Sequence, residues 1–598
     1  MASLPQLTLH PNTNNKDIDP TNIVTQWLCS LNTHLQNATT SSATDLFLPS
    51  SLPYWRDILA LSWDWSTKNS SEDILSLLSS STQGFCDLEV VKTGALQPAL
   101  VDLEGAVWIQ SGFTFLNKFG SGRGLLRLVN EEDGAWRAWT VFTQLEGLHE
   151  AKENGNAVPS RDEKDEYQVL VIGAGQSGLA IGAHLKHQGL KYLIVDQNAR
   201  IGDSWRARYE SITSHTPTYS DHCPFLPYPE DYPQWLGRDR IADWQEHYAK
   251  LLDLNIELGT RAEVIGYDHH GATSRSYTLH LHGPDGKIRL VRAKHLILAA
   301  GMFSTKPILP SFPGQEDFKG SLYHTISHKS ATKIRNIHSK NVICIGTGTS
   351  SHDIAQDFVL AGAKSVTMLQ RSPIITVTRE SYVATQMGLW NTPGIATEEA
   401  DILGNSFPFP IVRALNIPAT KKMNEMDAHL LEPMKKQGYR VLENSGLVDQ
   451  QFLKAGCFYI DQGACEMIAD GRIKIVDSSS GIQTFTETGL ILNDGRQLEA
   501  DIVILGTGFE RMGEVVRGIM GGAVAEKVGD IGHLDEEAER IGWWRPTGVP
   551  GLWYMTGSFF WTRTFSSVLA LQIAAVERGL NPGYYEREGD GRMRTRAD

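Results

Sequence analysis

Cysteine is scarce: the chain has six in 598 residues, Cys29, Cys86, Cys223, Cys344, Cys457 and Cys465. No two stand in C-x-x-C or C-x-x-x-x-C spacing, so neither a zinc ribbon nor a disulfide scaffold is expected. Long apolar runs are also missing. The best candidate, around 568–576, is too short to span a bilayer, and Arg563 lies just upstream. The opening MASLPQLTLHPNTNNKD lacks the basic-then-apolar order of a secretory signal. Positive charge is in deficit, with 55 Lys and Arg against 69 Asp and Glu and a net charge of −14. That balance argues against broad binding to nucleic acid or anionic membrane. A reducing, cytoplasmic setting is the expectation. Apolar residues at 41% and charged residues at 21% exclude a disordered chain or a coiled-coil rod. At roughly 100–200 residues per domain, the length predicts several domains.

Residues 151–166 are charged and almost free of bulky apolar side chains, which reads as a linker. Upstream, 1–150 is one domain's worth of chain. A helix is expected over 53–79, where Trp55, Leu59, Trp63 and Trp65 recur among polar residues and Pro53 suits a first turn. Further on, 125–129 and 136–142 flank the turn residues Glu131, Glu132, Asp133 and Gly134 and predict a β-hairpin. Helix followed by antiparallel sheet gives an α+β block. After the linker the pattern becomes βαβ: a strand at 167–172, a helix, then Tyr192–Val195. A second such unit runs from Asn341–Ile345 to 365–369. Hairpins are expected around 283–286 and 493–495.

Each βαβ unit carries a glycine loop. Gly173, Gly175 and Gly178 match G-x-G-x-x-G: the first permits the tight turn, the second lets backbone approach a pyrophosphate, and the third lets helix and strand pack closely. The helix start offers free N–H groups to phosphate. Asp196, 23 residues after Gly173, ends the next strand and suits ribose hydroxyls while repelling a 2′-phosphate. The second loop has Gly346, Gly348 and Ser350, with Ser351 in place of the third glycine and slightly looser packing expected. Its next strand ends at Arg371 and Ser372; the guanidinium, 25 residues after Gly346, suits the 2′-phosphate of NADP(H). Two sites of opposite preference imply a flavoenzyme that holds FAD and receives NADPH. With no redox-spaced cysteines, oxygen is the expected oxidant.

Further segments carry a resemblance. Gly202-Asp203-Ser204-Trp205-Arg206-Ala207-Arg208-Tyr209 followed by His215-Thr216-Pro217, Phe318-Lys319-Gly320-Ser321-Leu322-Tyr323-His324, and Ile504-Leu505-Gly506-Thr507-Gly508-Phe509 join the two loops. Over about 166–580 the chain resembles the flavin-containing monooxygenases, the class B flavoproteins. It departs from them at His328, where the pattern has Tyr, Phe or, in Baeyer–Villiger enzymes, Trp. It departs again at Thr349, where many relatives have Asn, and at Gly506, where they have Ala. The 1–150 block is similar to the nuclear-transport-factor-like cone domains fused to some fungal members, on Tyr54-Trp55-Arg56-Asp57 and the strand from Trp136 to Leu145; a plain packing or dimerisation module is the alternative.

The resemblance implies an α/β protein with two Rossmann-like domains and an N-terminal α+β cone-like domain. It places the FAD domain at 167–325 and 471–598, and the NADPH domain with a helical insert at 326–470. It implies oxygen transfer to a small organic substrate through a flavin C4a-(hydro)peroxide; the alternatives are a Baeyer–Villiger enzyme or an NADPH oxidase, and then a non-enzymatic FAD protein. It carries over Trp205, Arg208, His215, Thr216, Thr507 and Gly508 as further cofactor contacts. No catalytic residue and no metal ligand is assigned, and a homodimer through the N-terminal block is expected. His324 is expected at a domain junction, and Gly301 and Gly508 as hinges or ordinary turns. The stretch 380–451, with Phe407, Phe409, Met423, Met426 and Met434, either covers a substrate channel or is core. The run 561–576 is expected as a helix near the flavin.

Overall fold

The computed structural model describes residues 4–11, 13, 15–37, 43–49, 52–103, 105–149, 165–270, 274–301, 306–454, 456–581, 585–587 and 593–595. The linker expected at 151–166 lies almost wholly outside the described residues.

Three sheets organise the chain. The leading sheet runs in the order Trp65–Lys68, Tyr54–Ile58, Trp136–Leu148, Gly120–Asn130, Ala106–Leu116, Cys86–Val90, with Ala99–Leu103 also paired to Ala106–Leu116. Gly120–Asn130 and Trp136–Leu148 form the expected hairpin. The helix expected over 53–79 is not there. Tyr54–Ile58 and Trp65–Lys68 are antiparallel strands, and Leu59, at φ 64°, turns the chain between them. Only Ser71–Ser80 is helical, capped by Ser70, whose hydroxyl accepts the Asp73 N–H. The reason is burial: the first strand is covered on both faces, so its apolar residues lose the alternation that marks a strand. A helix not anticipated, Pro20–Asn37, packs on this sheet, with the Asp19 carboxylate accepting the Asn22 N–H at its start.

The first nucleotide sheet is ordered Ile256–Glu257, Tyr192–Val195, Glu166–Ile172, Ile288–Leu298, Ser274–His282, Arg261–His270, with Leu552–Tyr554 returning parallel to Ile288–Leu298. The second is all parallel: Ser321–His324, Ile502–Leu505, Asn341–Ile345, Ser365–Gln370, Ile473–Asp477. Ile473–Asp477 and Ile502–Leu505 thus pair with the second sheet, although the sequence reading put 471–598 with the first. Ser321–His324, on the first-domain side of the boundary drawn at 325, likewise pairs into the second sheet. Hydrophobic strands carry no label of the sheet they join; here the return to the first sheet is made by Leu552–Tyr554 alone among these segments.

The C-terminal helix is Phe559–Glu577. At 19 residues it is longer than the run read around 568–576, and by length and composition it is long and apolar enough to cross a membrane. In the structure most of it is buried, packed against Gln176–His187 and against Trp136–Leu148 of the leading sheet. One continuous apolar core consequently runs from the leading sheet, through this helix, to the first nucleotide sheet.

Candidate active site

At the first loop, Gly173 adopts φ 110° and its N–H donates to the Val195 carbonyl at 2.8 Å. A Cβ on Gly178 would lie 1.8 Å from the Gly173 carbonyl oxygen, whereas one on Gly175 would meet nothing within 4 Å. Gly175 is therefore not needed for packing; it opens space at the start of Gln176–His187, where no side chain caps the free N–H groups. Asp196 follows its strand as expected, but its carboxylate also braces the loop, accepting the Ala174 N–H (2.7 Å) and the Asn198 N–H (2.8 Å).

The second loop repeats this geometry. Gly346 has φ 102° and donates to the Leu369 carbonyl, and Gly348 faces open space at the uncapped start of Thr349–Leu360. Ser351 is buried. Its Oγ lies 1.9 Å from where a Cβ on Gly506 would stand. Two departures from the family pattern, serine for glycine and glycine for alanine, thus share one volume: the hydroxyl fills the space the missing methyl leaves. Arg371 and Ser372 are exposed at the end of Ser365–Gln370. A second guanidinium that the sequence reading missed stands beside them: Arg440 donates to the carbonyls of Gln370 (3.1 Å) and Arg371 (2.8 Å) and pairs with Asp477 (3.1 Å). It is 69 residues away in sequence, and no local pattern announces it.

Asp353, on the helix after the second loop, ties that loop to the segment carrying Tyr209 and His215. Its Oδ2 accepts the Tyr209 hydroxyl at 2.6 Å and lies 3.5 Å from His215 Nε2. Thr216 donates its hydroxyl to Asp221 (2.6 Å), and Asp221 in turn accepts the Phe560 N–H (2.7 Å) at the start of the C-terminal helix. Burial pushes the Asp221 carboxyl up. Trp205 stacks on Phe559 at 6.4 Å, with the Arg208 guanidinium 5.2 Å above its ring. Thr507 donates to the Ile308 carbonyl (2.6 Å). His324 meets the Gly508 carbonyl at 3.0 Å, joining the strand Ser321–His324 to the turn after Ile502–Leu505. The Gly301 carbonyl accepts the Tyr554 hydroxyl (2.7 Å). His328 is buried, 2.8 Å from Asp357 and stacked over Tyr323.

A cavity of about 1550 Å³ lies between these parts. Of the residues expected to contact cofactor, it brings together Arg208, His215, Thr216, Gly348, Ser350, Ser351 and Gly508. Gly173, Gly175, Gly178, Asp196, Trp205, Gly346, Arg371, Ser372 and Thr507 are outside its lining. From the 380–451 stretch, Trp390, Phe407 and Phe409 face it, but Met423 and Met434 are core and Met426 is exposed; the methionine that lines it is Met387. Not expected at the cavity were Arg56, Trp65, Trp108 and Trp139 of the leading block, which form part of the wall. They are held there by contacts far apart in sequence. Arg56 makes a two-point ion pair with Glu539 (2.6 and 2.9 Å) and Arg545 one with Asp64 (2.8 and 2.7 Å). The Arg127 guanidinium lies 3.5 Å over the Phe407 ring. All six cysteines are free, with Cys457 exposed and Cys465 buried.

A family model described as flavin-binding monooxygenase-like matches residues 166–512. Indole-3-pyruvate monooxygenase YUCCA1 of Oryza sativa subsp. japonica is 27% identical over 342 residues, 57% of this chain and 76% of its own. FAD-containing monooxygenase EthA of Mycobacterium tuberculosis (strain CDC 1551 / Oshkosh) is 26% identical over 410 residues, 65% and 78% of the two chains. Among solved structures, an oxidized steroid monooxygenase bound to NADP superimposes with a TM-score of 0.51 at 20% identity, over 71% of this chain and 88% of the other. At that identity the likeness speaks for the fold.

Proposed function

The chain belongs to the flavin-binding monooxygenase-like family, and from that premise we propose that it transfers one oxygen atom from O2 to a small organic molecule held in the central cavity. It is a flavin-dependent monooxygenase, and its cofactors are FAD and NADPH.

The observation that carries the reading is the pair of open cradles. Gly175 and Gly348 each leave a helix start uncapped and free of neighbours, on two different parallel sheets, and both fit a dinucleotide pyrophosphate. In this reading the first loop and Asp196 hold the ADP half of FAD, where the carboxylate disfavours a 2′-phosphate. The second loop holds NADPH, with Arg371 and Ser372 on its 2′-phosphate and Arg440 alongside. Trp205, Arg208, His215, Thr216, Thr507 and Gly508 flank the flavin side. Bound and reduced, the flavin supplies the activation of O2, one atom passing to substrate and the other leaving as water. The chain's own residues bind, orient and exclude water: the cavity wall is largely apolar, and a dry site protects reactive species from wasteful release. No acid–base group is required of the protein, because the cofactor supplies the reactivity.

The finer reading is a fungal-type enzyme of secondary metabolism, cytoplasmic, with a nuclear-transport-factor-like leading block. The mostly antiparallel sheet with a helix packed on it supports that assignment. A homodimer would form through the face of this block turned away from the cavity. Oxygenation without Baeyer–Villiger insertion is favoured by His328, which is buried against Asp357 where a Baeyer–Villiger enzyme carries Trp.

Purified protein should be yellow and should consume NADPH with O2. Arg371→Ala should weaken NADPH by at least about tenfold while changing NADH little. A colourless protein that cannot be reconstituted with FAD would sink the reading; equal loss of both nucleotides would misplace the 2′-phosphate site.

A further inference from the structure

One end of the cavity is built by neither nucleotide loop. Arg56 and Trp65 reach it from the leading sheet, and Trp544, Trp561 and Phe565 from the C-terminal segment. Their rings form one aromatic shell. Trp65 stacks on Trp544 at 6.4 Å and meets Phe565 at 4.9 Å. Phe452 meets Trp561 at 3.9 Å and Phe409 at 5.7 Å.

Arg540 lines the cavity within this shell and is 7% exposed. Its guanidinium lies 4.3 Å from the Trp543 ring centre, 4.9 Å from Phe452 and 5.4 Å from Trp561. It donates to two uncharged acceptors, the carbonyls of Gly532 (2.8 Å) and Phe452 (2.7 Å), and makes no ion pair among the described residues. A guanidinium has five N–H donors, so others are left over. The nearby carboxylates are committed elsewhere. Glu539 holds Arg56 and the Thr67 hydroxyl, Asp535 and Asp64 hold Arg545, and Glu537 holds Ser66 and Lys68. Burial accordingly pulls the Arg540 pKa down to about 9, only partly opposed by the Glu539 charge. A cation buried among rings without a carboxylate is costly, and an anionic ligand group would offset that cost.

We propose that Arg540 anchors the substrate, and that the substrate is a multi-ring aromatic molecule bearing a carboxylate-like anionic group. The anion sits on Arg540, and the rings lie against Trp65, Phe409, Phe452 and Trp561. This rests on the cavity being the substrate site of the monooxygenase.

The test uses two fluorescent probes that share a ring system, anilinonaphthalene sulfonate and its uncharged counterpart phenylnaphthylamine, titrated into the holoenzyme with NADP+ present. Wild-type protein should bind the anion at least about tenfold more tightly than the neutral probe. Arg540→Gln should abolish that preference, and Arg540→Lys should keep part of it. Flavin content and melting midpoint report whether each variant folds, and the wild-type comparison needs no variant at all. Equal affinity for both probes in wild type, or a preference that survives in a folded Arg540→Gln, would overturn the proposal. Failure of the functional reading is seen separately: a colourless protein that still prefers the anion contradicts the monooxygenase and leaves the anchor standing.

Discussion

Ser351 and Gly506 belong to one packing unit, although they come from a helix start and a strand end 155 residues apart. The Ser351 Oγ occupies the place of a residue-506 methyl, and the Ile345 carbonyl is the next neighbour at 2.9 Å. Gly506→Ala should therefore destabilise the protein by about 1–3 kcal/mol, the usual cost of overpacking. Ser351→Gly should remove the clash, so the double variant should be more stable than Gly506→Ala alone. A denaturation double-mutant cycle measures this coupling. Additive effects would mean that the two sites do not share the volume. Each departure was visible in the sequence as a mismatch with the family pattern. That one answers the other was not, because it depends on how closely the helix approaches the strand.

At the scale of elements, what was legible followed from local chemistry. The glycine loops mark both strand-to-helix turns, because a tight turn and a close approach need glycine whatever the rest of the fold does. The hairpin around Gly134 and the parallel strand pairs could be read for the same reason. The strands Tyr54–Ile58 and Trp65–Lys68 could not, since they are covered on both sides and their apolar spacing imitated a helix. The first of them carries a carboxyl group into the core. Asp57 is fully buried, accepting the Thr143 hydroxyl (2.5 Å) and the Leu61 N–H (3.0 Å). Burial outweighs these bonds and pushes its carboxyl from 3.8 up to about 7. The folded strand then keeps a proton that the unfolded chain has already lost. The Asp57 contribution is fully present below its unfolded value and is lost as pH rises toward about 7. Asp57→Asn should flatten the pH dependence of unfolding free energy across that window. An unchanged slope would show that Asp57 is ionised in the fold.

For the whole molecule, the leading block proves to be part of the cavity wall. Its sheet shares a core with the first nucleotide sheet through the C-terminal helix, and its ion pairs to Glu537, Glu539 and Arg545 span more than 460 residues of sequence. Composition and spacing identified the nucleotide folds and left this block as surplus length; only the long-range contacts give it a place in the site. The proposed reaction is oxygen transfer from O2 to a molecule held in that cavity. It is tested most directly by turnover under isotopically labelled oxygen gas with NADPH, screening multi-ring aromatic acids and reading products by mass spectrometry. The expected product carries one labelled oxygen atom per NADPH consumed. Complete recovery of the NADPH electrons as hydrogen peroxide, with every organic compound returned unlabelled, would contradict it.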